Sequence, residues 1–319
     1  MIRYIVKRLV SFIPILAAVS VLVFFLVRIV PSDPVASLTK GKSVSKETRA
    51  ALMEEFHLDK PLARQYAIWI SGVVRGDLSS SYQHRKPVLE LLVERLPTTL
   101  QLTLMSSLLA AFFSITIGVV CAVTKNSFLD RILSGFLVFC ASAPSFLLAL
   151  VFMYLFAFKL RLFPSFGAGE NFWDSIYYLI LPSMALSLSM ITLVGRITRS
   201  SLINEIESNY VAAEKAKGTP FHRIIFHHCL KNALIPVITI GGMQIGGMIV
   251  GAMLVENVFA LGGIGILLIE GINTADYPVV QSIVLILVVV FMTVNLITDI
   301  IYAAIDPRIH AAWQGGAGK

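Results

Sequence analysis

Charge is scarce in this chain. Only 14% of its 319 residues are Asp, Glu, Lys or Arg, against 56% apolar, and the mean hydropathy is +0.81. A soluble domain carries charge at about a quarter of its positions, so the composition excludes an ordinary soluble domain. Cysteine is scarce as well. Cys121, Cys140 and Cys229 form no CxxC pair, and none falls in the long polar segment 31–97, so that segment holds no disulfide. They read as small apolar fillers. Catalytic constellations are missing: there is no HExxH, no GxSxG and no Cys-His pairing at credible spacing. His227 and His228 are adjacent; on a helix they point about 100° apart and cannot easily share a metal, so they read as basic surface. The net charge of +7 is interleaved with apolar runs. That pattern marks membrane orientation rather than nucleic-acid binding, and neither a nucleic-acid partner nor a metal site is expected.

What is present is a set of long apolar runs. A bilayer core of about 30 Å takes roughly 20 apolar residues per helix. Six stretches qualify: 9–30, 99–124, 132–158, 177–200, 234–256 and 280–304. The first follows Arg3, Lys7 and Arg8, as a signal peptide would. Its apolar core from Leu9 to Val27 is longer than a signal's, and no small-x-small cleavage site follows, so it reads as a retained helix with Arg28 snorkelling to the far interface. Six spans put both termini on one side. Short-loop basic residues then set the orientation. Lys125, Arg131, Arg196, Arg199, Lys215, Lys217, Arg223 and Lys231 fall on one face, while the short loops of the other hold only Lys159 and Arg161. Both termini and the segment 210–236 are therefore expected in the cytoplasm.

Segment 31–97 is the only sizeable extracytoplasmic piece under this reading. Residues 46–56 and 61–74 have helical periodicity, and Pro31, Pro34, Pro61 and Pro87 punctuate them. A small helical cap over the membrane helices is expected. Ala36 to Ser43, ASLTKGKS, fits a loose phosphate-loop pattern. A phosphate loop needs a buried strand before it and a helix N-terminus after it. Here a membrane helix precedes, and no hydrophobic strand ending in Asp accompanies it, so the match reads as chance and no nucleotide site is expected in this chain.

The most informative stretch is Tyr210 to Pro236, YVAAEKAKGTPFHRIIFHHCLKNALIP. It is far longer and more polar than a turn between two spans needs to be. It reads as two short helices joined by Gly218-Thr219-Pro220. Gly218 supplies a positive φ that ends the first, Thr219 suits the N-cap, and Pro220 suits the first position of the second. Arg223, His227 and Lys231 fall on one face, with Phe221, Ile225 and Cys229 on another. Such an elbow suits either a soluble partner or the anionic headgroups of membrane lipid.

These residues carry a resemblance. AAEKAKG (212–218) followed by KNALIP (231–236) resembles the cytoplasmic coupling signature of binding-protein-dependent ABC importer permeases. The chain is most similar to the first, B-type subunit of the dipeptide/oligopeptide/nickel permease family. Pro31-Ser32-Asp33-Pro34, LDKPLARQY (58–66), GDL (76–78), RLPTTLQL (95–102), ENVF (256–259), DYPVVQ (276–281) and DPR (306–308) look like further family blocks. Two departures stand out. Ala212 occupies the position of the general signature's Glu, and Leu261-Gly262-Gly263 replaces the common Trp-Pro-Gly, which predicts a more flexible outer loop.

The resemblance implies an all-α, type I ABC importer permease fold with six transmembrane helices. It implies an N-terminal helix over 1–30, an extracytoplasmic helical segment over 31–96, a transmembrane domain over 97–304 and a cytoplasmic tail over 305–319. It implies a subunit of a bacterial inner-membrane importer that does no chemistry itself. Its partners would be a second homologous permease, two ATPase subunits that hold ATP and Mg, and an extracytoplasmic binding protein. Short peptides or nickel and metallophore complexes would be the solutes. Ala212, Ala213, Lys215, Lys217, Gly218, Thr219 and Pro220 would form the ATPase-coupling elbow. Met243, Gln244 and Met248 would line the pathway, and Glu256 would contact a binding protein or gate entry. In the fifth span Gly242/Gly246 and Gly247/Gly251 are spaced for close helix packing. Asn295 and Asp299 lie one turn apart in the last span, and a structural bond from Asp299 to Arg196 or Arg199 is expected. A self-sufficient secondary transporter would need inverted repeats and paired intramembrane acids, which the chain does not offer; a membrane-embedded enzyme would need a nucleophile or metal constellation.

Overall fold

The computed structural model describes residues 2–29, 34–38, 45–169 and 171–305, and among these all regular structure is helical. Gly41-Lys42-Ser43, Pro31 to Asp33, the Asp306-Pro307-Arg308 block and the tail lie outside the described residues. Five helices are long and apolar enough to cross a membrane, or six counting one broken pair. They are α1 (Ile2–Ile29), α5 (Val88–Val123), α8 (Phe172–Ile206), the run Phe221–Phe259, and α13 (Tyr277–Ile305).

The third expected span is not one helix. α6 (Phe128–Ala141) and the run Ser145–Lys159, which opens with α7 (Ser145–Phe152), are bent by 106° around Ser142-Ala143-Pro144. Pro144 has no N–H to donate and pushes Ala143 out of the helical region, so the first helix stops and a second starts behind it. α7 then runs into a π-turn over Met153–Lys159. Pro14, Pro97 and Pro182 by contrast sit inside their helices without ending them.

The chain clusters into two compact units. One comprises Met1–Thr99 and Leu261–Met292. It contains α2 (Pro34–Leu38), α3 (Lys46–Glu55) and α4 (Leu62–Val74), the last two matching the periodicity in the sequence. Ser45 caps α3 by accepting from the Thr48 amide at 3.2 Å. α4 lies on α1: Phe24 packs against Tyr66 and Trp69, and the Ser20 and Tyr66 hydroxyls meet at 2.9 Å.

The same unit holds a helix that the sequence did not announce. Residues 257–279 read as an outer loop, yet α12 (Ile264–Asn273) forms there. It buries Ile264 and Leu267 against Val88, Leu91 and Leu92 of α5 and Val279 and Ile283 of α13. Leu261 is buried, and the Ile264 amide donates to Thr99 Oγ1 at 3.0 Å. The Leu261-Gly262-Gly263 link is therefore anchored at both ends, against the expectation of a loose loop. Buried Asp276, just before α13, accepts from Ser81 Oγ at 2.5 Å and from the amides of Tyr82 and Gln83 at 3.2 and 3.1 Å. It ties the 79–87 turn down.

The second unit comprises Leu100–Ala260 and Thr293–Lys319. Here α8 is the most enclosed of the membrane helices and packs on α6, α7 and α11 (Leu230–Phe259). Two close approaches depend on glycine. A Cβ on Gly118 would sit 2.5 Å from Thr198 Cβ and 2.9 Å from the Gly195 carbonyl, and one on Gly242 would sit 1.8 Å from Thr298 Cγ2. Of the four glycines expected to clear a face, Gly242 does so against α13 and Gly251 lies against Leu186, whereas Gly247 faces open space.

Candidate functional site

The segment after α8 is built as a rigid knob. α9 (Asn209–Ala216) buries Val211 and turns Ala212, Ala213 and Lys215 outward, with Lys217 exposed at its C-cap. Gly218 has φ +80°, and its amide donates to the Lys215 carbonyl at 3.0 Å while the Thr219 amide donates to Glu214 at 3.2 Å. These two crossed bonds are the Schellman closure of a helix C-terminus, which needs a left-handed residue where Gly218 stands. Glu214 fastens it from the side, accepting from Lys217 Nζ at 2.8 Å and Thr219 Oγ1 at 3.0 Å. The Lys217 bond first, then that of Thr219, holds the Glu214 carboxyl below the usual range.

Two details differ from the sequence reading. Thr219 is not the N-cap of the following helix, because its hydroxyl reaches back to Glu214. Pro220 is the N-cap, with φ −66° and ψ 140°, and its carbonyl accepts from Arg223 and Ile224. Nor is there a second short helix. α10 (Phe221–Arg223), a π-turn over Ile224–Cys229 and α11 run on as one continuous helix, Phe221–Phe259. The π-turn inserts a residue into the helical phase. Neighbouring Ile224 and Ile225 are thereby both buried, and His227 and His228 both exposed. Arg223, His227 and Lys231 lie on the exposed side as expected, but Phe221 is exposed too, beside Lys215 Nζ at 5.4 Å. Among the described residues no group of His, Cys, Asp and Glu could hold a metal.

The knob has an apolar foundation. Val211, Ile224, Cys229 and Ala233 pack with Ala122 of α5 and Leu202 of α8. Tyr210 donates to Glu205 Oε2 at 2.5 Å, and Asn232 donates to the same oxygen at 3.4 Å. The end of α8 thus grips both sides of the elbow. Nearby, Lys125 pairs with Glu207. Arg199 forks onto Asp130 with two bonds of 2.7 Å. Asp130 also accepts from the Asn126 amide at 3.0 Å and Ser134 Oγ at 3.2 Å. Of the two arginines expected for Asp299, Arg196 and Arg199, the second is engaged by Asp130, a carboxylate that α6 delivers. Sequence reasoning missed both Asp130 and Glu205. Ser127 and Asp130 do have the spacing of a helix N-terminus, and Ser127 Oγ accepts from the Asp130 amide at 3.2 Å, but nothing local announces a partner 69 residues away.

The remaining candidates are scattered. On α11, Met243 is 61% exposed and Gln244 half-buried, while Met248 is buried with Ser107 Oγ 3.8 Å from its sulfur. Glu256 has no exposed surface in this conformation. Asn295 and Asp299 are half-buried on α13.

The family model described as binding-protein-dependent transport system inner membrane component matches residues 114–311, and its N-terminal membrane-component model matches 1–103. The chain is a binding-protein-dependent ABC permease. This permease is 35% identical over 312 residues to a probable peptide ABC transporter permease, y4tP, of Sinorhizobium fredii, covering 96% of this chain and 99% of the relative. It is 37% identical over 310 residues to the glutathione transport system permease GsiC of Salmonella choleraesuis, covering 97% and 99%. GsiC of Escherichia coli K12 is 36% identical over the same length. Among solved structures, the inward-facing MetNI methionine ABC transporter matches with a TM-score of 0.58 at 20% identity, over 68% of this chain and 97% of that one. That likeness concerns the fold, and it agrees with an all-α type I permease.

Proposed function

We propose that this permease forms half of a transmembrane pathway for short peptides and couples it to ATP hydrolysis through the Asn209–Pro220 elbow. The partners in this reading are a second homologous permease, two cytoplasmic ATPase subunits holding ATP and Mg, and a binding protein that delivers solute outside. The single observation that carries coupling is the knob itself. A short helix exposes Ala212, Ala213, Lys215 and Lys217 on a buried apolar base, closed by Gly218 in a left-handed turn. Two alanines permit close approach by another backbone, and the lysines supply charge at the rim. A loop held only by lipid would need neither the double closure at Gly218 nor the grip of Glu205. Peptide and glutathione, the solutes named for the relatives above, favour short peptides over nickel or metallophore complexes. In this reading Met243 and Gln244 face the pathway, while Met248 and Glu256 support the helix that carries them.

The orientation has a direct test. With Cys121, Cys140 and Cys229, all buried, replaced by alanine, single cysteines are placed at 42, 217 and 319. An impermeant thiol reagent on intact cells is expected to label position 42 alone. Labelling at 217 and not at 42 overturns the cytoplasmic assignment of the elbow.

A further inference from the structure

A cation at the end of α1 has no acidic partner among the described residues. Arg28 donates through Nη1 to the Phe24 carbonyl at 2.9 Å and through Nε to Gln65 Oε1 at 3.2 Å. Its guanidinium lies 3.6 Å from the centroid of the Phe24 ring and 5.0 Å from that of Tyr277. Gln65 is itself fixed, donating to the Lys60 and Leu58 carbonyls at 2.8 and 3.3 Å, so its oxygen is aimed at Arg28. Far from snorkelling freely, the half-buried guanidinium is clamped, and every group that clamps it is neutral. Sequestered charges are normally paired, and ring faces recover only part of the lost hydration. Beside Arg28 lies a cavity of about 240 Å³ whose wall includes Val35, Arg49, Met53, Leu62 and Tyr277.

We propose that this cavity binds the phosphate of an anionic phospholipid headgroup, with Arg28 as its principal ligand. Arg28 Nη2 makes neither of the two bonds above and can give a charge-assisted hydrogen bond to a phosphate oxygen. A lipid is favoured over a soluble anion by the cavity's position. α1 exposes Leu22, Phe25, Leu26 and Ile29 in the two turns around Arg28, so the helix that carries this cation presents apolar surface of the kind that faces acyl chains. Val35, Met53 and Leu62 then suit the glycerol and upper acyl carbons. A headgroup held there would fix α3 and α4 at the membrane surface. The inference requires only that the chain lies in a bilayer. It does not depend on peptide transport or on coupling at the elbow; the orientation proposed above only names the leaflet, the outer one.

The test uses the full chain in phosphatidylcholine nanodiscs containing a trace of photoactivatable phosphatidylglycerol, with the crosslinked peptide identified by mass spectrometry. Crosslinking is expected between residues 24 and 65, with unlabelled phosphatidylglycerol competing and phosphatidylcholine not. Arg28→Gln is expected to weaken capture about ten-fold or more, the loss of one charge-assisted contact, and Arg28→Lys to weaken it less. Arg75→Gln, at an exposed arginine outside the cavity wall, is expected to leave it unchanged. Should Arg28→Gln fail to fold, the competition on the unaltered chain still decides. Capture that is spread over α1 evenly, or equal with both lipids, overturns the site. Free glycerol phosphate competing as well as the lipid overturns the lipid assignment.

Discussion

Gly218 allows the coupling argument to be tested at a single atom. Its φ of +80° lies where L-residues are disfavoured, and a Cβ built there meets nothing within 4 Å. Within this chain the cost of a side chain is therefore conformational and not steric. A left-handed conformation costs an L-residue roughly 1–2 kcal/mol, which moves the population of the closed helix end by a factor of about 5–30. Asn tolerates this region better than other residues, and β-branched residues tolerate it worst. The expected order of residual coupling is Gly, Asn, Ala, Val. Insertion of the membrane helices should be unaffected, because α9 and its closure are polar and exposed. The assay is peptide-stimulated ATPase activity and uptake in proteoliposomes, beside pull-down of the ATPase subunits at matched expression. Gly218→Val is expected to lose stimulation and association together. Wild-type uptake by Gly218→Val would refute the elbow as the coupling element. Asn failing as badly as Val would refute the conformational part, since the added atoms would then be colliding with the partner.

Two further outcomes follow from the packing. Asp130→Ala removes the fork and leaves Arg199, whose side chain is 29% exposed, to water; it is expected to cost about 1–2 kcal/mol, read as a lowered thermal midpoint in detergent, and an unchanged midpoint would mean that the fork carries no stability. Gly242→Ala must displace Thr298 and is expected to cost about 1–3 kcal/mol by overpacking, whereas Gly247→Ala, which points into open space, should change the midpoint hardly at all; equal effects would contradict the α11–α13 contact.

Much of the fold was written in the apolar runs. Five of six expected spans are continuous helices because length and hydrophobicity suffice to specify a membrane helix, whose backbone must satisfy itself. The sixth was not legible. Pro14, Pro97, Pro182 and Pro236 lie inside helices that continue past them, while Pro144 marks a bend of 106°, and the residue type is the same in each case. α12 escaped because ten residues fall short of a span and its burial depends on distant partners, Val88 and Ile283. At the elbow, Gly218 was legible from local chemistry, since only a left-handed position needs glycine beside Thr-Pro. The start of the next helix was misplaced by one residue, because Thr219 had a better acceptor in Glu214 than the helix behind it. The anchors, Glu205 under Tyr210 and Asp130 under Arg199, were not legible, because each is a side chain that becomes meaningful only when another helix brings its partner.

The central claim is that the exposed face of α9 touches an ATPase subunit. A photo-crosslinking amino acid is placed at Ala213, on that face, and for comparison at Val250, on the apolar exposed side of α11. After irradiation of native membranes, position 213 is expected to yield an adduct with a cytoplasmic nucleotide-binding subunit, and position 250 is expected to yield none with it. Adducts from 213 confined to lipid or to this permease itself would contradict the account.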